Sequence, residues 1–594
     1  MSQQKSENNK FPSVAGNFFY GEIDENTVFP FPTFSTEQKE MAKAMTDAVC
    51  KFAADSIDSE KMDAEAKIPA EVITGLGELG LCGLAVEEEY GGMGLDYTLY
   101  ARVFQEMAGI DGSTATMLGA HQSIGYRALI NEGTPEQKAK WLPDLASGKK
   151  LASFCLTEPG SGSDAYSIKT KAVDNGDGTY TINGQKLWIT NGGSAEFYSV
   201  YCKTEHEENG KKVEKITCFA VEKGVPGSEG LTFGEKENKM GIRASETRAV
   251  YFDNIVVPKE NILGELGKGF KVAMNVLNSG RLSLGSGCVG GMKAILKLAT
   301  EHAAGRKQFD RPIAEFGLIQ EKLTDMAATI YSLESTVYMT TGLMDKGMGD
   351  YQLESAICKV YGSESLWKVV DTGLQIAAGN GYMREYPYER IMRDSRINLI
   401  FEGTNEILRV FTALAGIRGP SESLKELGKI SDVSSVLSDP IKSVGVLTDF
   451  AKSRFSKMMV TRSLTKAHDS LEEEANYFSG MLSGFAIQVE NTLIKYGKNI
   501  IGNEFPQGRI ANMTIELYVM LALLSRTTSI LNDSSVDQAK KDYVSKLCKL
   551  SFSDSRRRFV SNLKGMTKNK DKMIKEISEM VVQNGGYGLD IIDY

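Results

Sequence analysis

The sequence predicts an α+β protein of several domains: an N-terminal α-helical domain, a central antiparallel β-domain, a helical-bundle domain and an extra C-terminal helical domain. Three observations carry this. Helical spacing of apolar residues fills about 35–150, short β-branched and aromatic segments replace it over 151–262, and helical spacing returns after Gly264. The resulting order α, β, α, α is not the alternation of strand and helix that builds a parallel βαβ sheet. A length of 594 residues allows three or four packed units with room for a deep cleft.

Taken in chain order, residues 1–34 read as an extended arm laid over the body, because Pro30 and Pro32 reject helix interiors. Helix starts follow at Thr36, at Pro69 for a segment through Leu79, and at Pro135 for one through Leu145. Over 151–262 the strand candidates are LASFCLTE, TYTI, QKLWIT, FYSVYCKT, ITCFAVE and AVYFDNIVV. TYTI and QKLWIT are joined by Asn183-Gly184, a strong hairpin signal. Over 263–418 long helices are expected around 269–305, 315–346, 351–378 and 404–415. Residues 419–440, rich in Ser, Asp and Gly between two prolines, read as a linker, and helical spacing over 472–500 and 510–531 fills a C-terminal domain at 441–594.

Composition narrows the function. Hydrophobic residues at 42% and charged residues at 24% fit a folded, soluble chain and exclude the disordered and disulfide-scaffold classes. A net charge of -9 supplies no broad cationic field, so nucleic acid is not expected as a partner. The eight cysteines contain no CxxC pair, which points to a reducing compartment. The four histidines form no i, i+4 pair, so no protein-bound metal is expected. With Met1 present, no apolar or Arg-rich leader and no stretch of eighteen apolar residues, the expected location is a bacterial-type cytoplasm, with peripheral contact to the inner membrane as a further expectation.

Gly285, Gly287 and Gly290 spell GxGxxG, but both flanks are helical in texture. A dinucleotide fingerprint must follow a strand, so close helix packing is the better reading. FCLTEPGSGSDA at 154–165 ends a strand in a loop of small residues and hydroxyls, which suits either a tight turn or the polar edge of a flat cofactor or phosphate. LWITNGG at 187–193 offers Trp188 as a flat platform and Thr190 as a donor. In IFEGTNEILR at 400–409, Glu402 follows Leu399, Ile400 and Phe401. Such a carboxylate either snorkels to solvent or is desolvated into the range of a tuned base.

These segments, in this order and spacing, resemble the acyl-CoA dehydrogenase family. TEPGSGSDA and KLWITNGG resemble its flavin-contacting motifs, RKQF at 306–309 and QIAAGNGY at 375–382 its FAD-clamping segments, and FEGTNEILR its catalytic-base motif. SVAGNFFYGEIDENTVFPFP, LGAHQSIG at 118–125, GFKVAMNVLNSGR at 269–281 and the extra C-terminal domain resemble the very-long-chain subgroup.

The resemblance implies an FAD enzyme of fatty acid β-oxidation that oxidises long-chain acyl-CoA to trans-2-enoyl-CoA. Glu402 would remove the α-proton, its backbone N–H would bind the thioester oxygen, and hydride would pass to flavin N5. Phe154, Leu156, Thr157, Ser163, Trp188, Ile189 and Thr190 would contact the flavin. Arg306, Gln308, Gln375 and Gly379 would hold the pyrophosphate and adenosine, partly across a homodimer interface, with Thr404 and Glu406 as further cofactor contacts. Ser163, Asn278, Arg281, Phe401 and Gly403 would serve the acyl-CoA. Small residues at Ala115, Thr116, Gly119 and Ala120 would leave room for a long acyl tail. Electrons would go to an electron-transfer flavoprotein. The basic amphipathic stretch 447–471 would touch membrane. An acyl-CoA oxidase and a flavin-bearing assembly or scaffold protein are the rival readings.

Overall fold

The computed structural model describes residues 11–428 and 464–593. It divides into two compact units. The first holds Asn26–Leu408 and Ser525–Cys548 with the segment up to Ser13; the second holds Val14–Glu25, Arg409–Leu524 and Lys549–Tyr594.

In the first unit, N-terminal helices start where capping chemistry allows. Ser35 accepts from Gln38 N while the Gln38 side chain accepts from Ser35 N, which starts the helix Thr36–Ser56. Thr134 and Gln137 repeat this reciprocal box ahead of Pro135–Ala146.

The β-domain is one sheet in the order β1 (Ala152–Cys155), β4 (Phe197–Glu208), β2 (Lys171–Asp174), β3 (Thr179–Thr190), β7 (Thr247–Pro258), β6 (Leu231–Phe233), with β5 (Lys211–Glu222) pairing β4. It departs from the expected antiparallel arrangement at two parallel pairings, β1 with β4 and β2 with β4. A second correction concerns Asn183-Gly184. TYTINGQKLWIT is a single strand, and the dipeptide sits at a bulge where the pairing with β7 slips between Ile182 and Gly184. A Cβ on Gly184 would lie 2.5 Å from the Thr170 hydroxyl, so glycine is needed there for close approach rather than for chain reversal. The hairpin is made instead by Asn209-Gly210 between β4 and β5. Both residues have positive φ (51° and 72°), and Glu208 pairs with Lys211.

Gly269–Gly305, 37 residues long, is the central helix of this unit and packs on Tyr97–Ile110 and Gln352–Ala377. The GxGxxG lies inside it and works as helix packing: a Cβ on Gly290 would fall 1.9 Å from the Gln105 carbonyl oxygen, and one on Gly285 would fall 3.1 Å from Cys358 Cβ. Further helices here are Gly317–Asp345, Gly379–Tyr382 and Tyr388–Arg396, and Asn405–Gly428 begins in this unit but belongs to the second from Arg409 on. The last overturns the linker reading for 419–428, because the helix runs on through Pro420; residues 429–440 lie outside the described residues.

In the second unit the arm is not extended throughout. Val14–Phe18 is helical, and Phe18 and Phe19 are buried with ring centroids 6.3 Å from Phe478 and 5.1 Å from Phe485. The other short helix of the arm, Glu25–Val28, crosses into the first unit. Arg558 holds Glu516 through two hydrogen bonds, at 2.6 and 2.9 Å. One helix, Glu504–Asn532, is long and apolar enough to cross a bilayer by length and composition; its apolar window is 78% buried, the burial of a core helix. Of the basic stretch 447–471, residues 447–463 lie outside the described residues, while Leu464 is buried and Lys466 N donates to Glu25.

Because a Cβ on Gly290 meets backbone rather than a movable side chain, Gly290→Ala is expected to destabilise the protein by about 1–3 kcal/mol despite alanine's better helix propensity. Thermal unfolding with a lowered midpoint checks this.

Candidate active site

The β-domain face of the site forms where β1 and β3 end side by side. Leu187 N donates to Thr157 O at 2.9 Å, and Ser153 Oγ donates to Thr190 O at 3.0 Å. A second register shift, between Lys186 and Ile189, gives Trp188 a φ of +57° and turns its indole outward, leaving it 63% exposed. A large bare aromatic surface beside a cavity is informative where a scattered exposed Leu is not. Thr190 lines that cavity. Phe154 is partly open, with its ring 5.0 Å from Tyr201. Leu156 and Ile189 are buried in the two hydrophobic clusters of this unit, so their side chains belong to the core and only their backbone faces the strand ends. Ser163 is exposed in the 158–164 loop.

The stem of this loop is held by a pair the sequence did not reveal. Lys186 is fully buried, and its Nζ donates to Glu158 Oε1 at 2.8 Å, to Leu156 O at 3.0 Å and to Tyr201 O at 2.8 Å. Glu158 also accepts from Lys169 N and Thr170 N. Burial alone would raise the Glu158 carboxyl; the Lys186 ammonium and these donors outweigh it and hold the group below its ordinary value.

The helical side supplies the carboxylate. After the turn Ile397–Leu399 the chain passes Phe401, then two successive left-handed residues, Glu402 (φ +60°) and Gly403 (φ +93°), before the helix at Asn405. Left-handed backbone is uncommon for a residue with a Cβ and is strained unless its surroundings enforce it. Here they do: Arg281 Nε donates to Glu402 O at 3.1 Å, and Lys359 Nζ donates to Gly403 O at 2.8 Å. Glu402 Oε2 is buried without a hydrogen-bond partner among the described residues. Burial raises its pKa to about 7, against the opposing pull of Arg281 and Lys359. Gly280 makes the space, since a Cβ there would lie 2.9 Å from that oxygen.

The carboxylate opens on a cavity of about 640 Å³. Its wall follows the central helix from Gly280 through Leu284, Gly287 and Gly291 to Lys297 and includes Ala115, Thr116, Gly119 and Ala120 on the facing side. The seventeen residue steps from Gly280 to Lys297 span about 25 Å. One bilayer leaflet of acyl chains is only about 15 Å thick.

The expected site residues divide into three groups. Thr190, Phe401 and Glu402 line the cavity, and Trp188 stands at the strand end beside it. Asn278 and Arg281, expected along an entrance, are instead buried beside the turn that carries Glu402. Arg281 Nη1 donates to Asn278 Oδ1 at 3.1 Å, and Gly403 is held from the same side. Arg306, Gln308, Gln375, Gly379 and Glu406 are exposed and line no part of the cavity, while the Thr404 hydroxyl accepts from Ile407 N as a helix cap. Beside Arg306 and Gln375 the rings of Phe309 and Tyr382 are 89% and 81% exposed. His121 is a structural residue: Nε2 donates to Leu145 O and Nδ1 accepts from Ala152 N. Lys359 and Asp394 went unnoticed in the sequence; Asp394 lines the same cavity, and burial raises its carboxyl to about 7. The one available signal for Lys359 was a lysine inside the apolar run AICKVYG.

Family models match four successive stretches: the acyl-CoA dehydrogenase N-terminal domain at 39–149, its middle domain at 153–255, its C-terminal domain at 267–415, and the ACAD9/ACADV C-terminal domain at 469–587. The chain belongs to the acyl-CoA dehydrogenase family. The mitochondrial very long-chain specific acyl-CoA dehydrogenase of Rattus norvegicus is 40% identical over 587 residues, covering 97% of this chain and 88% of its own. An acyl-CoA dehydrogenase complexed with FAD from Bacillus anthracis superposes with a TM-score of 0.79 at 33% identity, covering 98% of this chain and 97% of that one. A chain in the structure of the electron transferring flavoprotein of Acidaminococcus fermentans matches with a TM-score of 0.61 at 36% identity over 65% of this chain and 99% of its own.

For this acyl-CoA dehydrogenase, Lys186→Met leaves the Glu158 carboxylate buried without its cation. A loss of about 3–5 kcal/mol is expected from denaturant unfolding.

Proposed function

We propose that this acyl-CoA dehydrogenase is an FAD enzyme of fatty acid β-oxidation that converts long-chain acyl-CoA to trans-2-enoyl-CoA, with Glu402 as the base. One observation carries the reading: a buried carboxylate oxygen without a partner among the described residues looks into a long cavity whose wall combines small and apolar residues, among them Ala115, Gly119, Ile124 and Leu284, with charged ones such as Asp111, Arg390 and Asp394. The FAD fit rests on the bare indole of Trp188 and on Thr190 at the cavity, a surface suited to stacking one face of a flat ring system with a donor at its edge. When bound, FAD supplies the acceptor for the hydride that leaves Cβ.

The chain's own residues do the rest. The cavity excludes water from the acyl chain, and Phe401 flanks the thioester. The Glu402 carboxylate takes the α-proton, while its backbone N–H donates to the thioester oxygen and stabilises the enolate as it forms. A base in water with the ordinary Glu affinity is mismatched to so weak an acid; burial raises that affinity and narrows the gap. Ser163 would meet the CoA portion. Arg306, Gln308, Gln375, Gly379, Thr404 and Glu406 would hold the rest of the cofactor, the exposed members of the set completing their site in a homodimer. The likeness to the Acidaminococcus structure supports an electron-transfer flavoprotein as acceptor. The enzyme would work in the cytoplasm, with the basic stretch 447–471 as its membrane contact.

Two outcomes follow. Anaerobic titration with palmitoyl-CoA is expected to bleach the flavin absorbance, whereas butyryl-CoA is expected to bleach it weakly; equal bleaching by both would overturn the chain-length assignment. Because the folded pKa of Glu402 is raised to about 7, the base is protonated below that value. The bleaching rate of the free enzyme should therefore rise as pH rises through about 7, and Glu402→Gln should retain FAD but lose at least about 100-fold in rate.

A further inference from the structure

Lys359 lies on Gln352–Ala377, is fully buried, and its ammonium makes two contacts on the catalytic turn: Gly403 O at 2.8 Å and Asn405 Oδ1 at 2.7 Å. Asn405, the first residue of the following helix, is itself held by that same helix, donating to Ser363 Oγ at 3.0 Å and to Glu364 Oε1 at 3.1 Å. The two carbonyls that the left-handed pair Glu402–Gly403 turns away from the cavity thus each accept from a buried cation, Arg281 on one and Lys359 on the other. A fully buried lysine is costly and rare unless paired. Among the described residues no carboxylate lies at salt-bridge distance from the ammonium; it donates to Gly403 O, on the turn that carries the carboxylate, and to Asn405 Oδ1, where the next helix begins.

We propose that Lys359 is the positioning residue of the catalytic base. Its ammonium clamps the left-handed turn so that Glu402 points into the cavity, and its charge keeps the carboxylate available as a base in a site that otherwise favours the acid. This rests on the reading of Glu402 as the base. The charged groups acting on the carboxylate are Arg281 on the central helix and Lys359 on Gln352–Ala377, and Glu364 on the latter helix acts on Lys359. Asp394 and Arg390 on Tyr388–Arg396, and Asp111, line the same cavity. The segment Ala120–Gly125, which also packs there, contributes Ala120, Ser123 and Ile124, none of them charged. Burial lowers the Lys359 ammonium to about 8, so it is mostly charged at about pH 7, where Glu402 titrates, and loses its own proton as pH rises through about 8.

The test uses the FAD-loaded full-length enzyme and palmitoyl-CoA, with the rate of anaerobic flavin bleaching followed from pH 5.5 to 9 in roughly half-unit steps. Lys359→Met removes charge and donors, Lys359→Gln keeps a donor without charge, and Lys359→Arg keeps the charge. The Met and Gln variants should show the rising limb displaced upward by about 1 unit or more, and Met should also lose rate on the plateau. Arg should keep the limb near its wild-type position even where its plateau falls. A purely structural lysine would lower rates without moving the limb. If Lys359→Met does not yield a folded holoenzyme, the Gln and Arg pair decides by the same displacement. Limbs unmoved in both neutral variants overturn the proposal. Glu402→Gln separates the two readings: full bleaching by that variant fails the base assignment itself, whereas an inactive Glu402→Gln beside unmoved Lys359 variants fails only the role of Lys359.

Discussion

The constraint on which the site depends is a carboxylate that must be both dry and ionisable. A glutamate in an acyl-sized cavity is pushed toward its neutral form by desolvation, and in that form it cannot take a proton. Two buried cations, Arg281 and Lys359, pull against this. Both bind the backbone carbonyls of the same turn, close enough to act on the charge and far enough to leave Oε2 unoccupied. For the base proposed here, a direct salt bridge would lower the base strength and block the approach of the substrate's hydrogen. Contact through the backbone gives orientation and a moderate field together.

The β-domain side of the site follows the same economy of geometry. The loop that follows Glu158 is tied down at its stem by Lys186, and the bulge between Lys186 and Ile189 turns Trp188 outward. One residue of register therefore anchors the loop from inside the sheet, and the next exposed position presents a platform outside it. A flat cofactor on that face would cover an indole that is otherwise left to water.

Much of the architecture was legible because periodicity and capping are local. The helices over 269–305 and at Pro135 fall where apolar spacing and first-turn residues put them. Strand connectivity was less legible. Asn183-Gly184 and Asn209-Gly210 are the same dipeptide, yet the first makes a bulge against Thr170 and the second a turn, and only tertiary contact distinguishes them. The site divides in the same way. Glu402 stood out because a carboxylate in apolar company is anomalous within its own segment. Lys359 and Lys186 did not, because each answers to residues tens of positions away: Gly403 O is 44 residues from the first, and Glu158 is 28 from the second. Arg281 was singled out for the right neighbourhood and the wrong side of the turn.

The central helix joins packing to specificity. Its glycines lie on more than one face: Gly285 admits the Gln352–Ala377 helix and Gly290 the Tyr97–Ile110 helix, while Gly280, Gly287, Gly291 and Gly290 itself line the cavity. A helix that seats two neighbours this closely brings their backbones to within van der Waals range, and that closeness sets the width of the cavity beside it. At Gly287 a Cβ would lie 3.3 Å from Ala108 and from Phe104, the aromatic wall of the same cavity. Substitutions that widened the helix contacts would therefore move the acyl wall as well, and substitutions that narrowed the cavity would press on the packing. The width of the cavity and the stability of the bundle are not separately adjustable at Gly287 and Gly290, where the same missing side chain serves both.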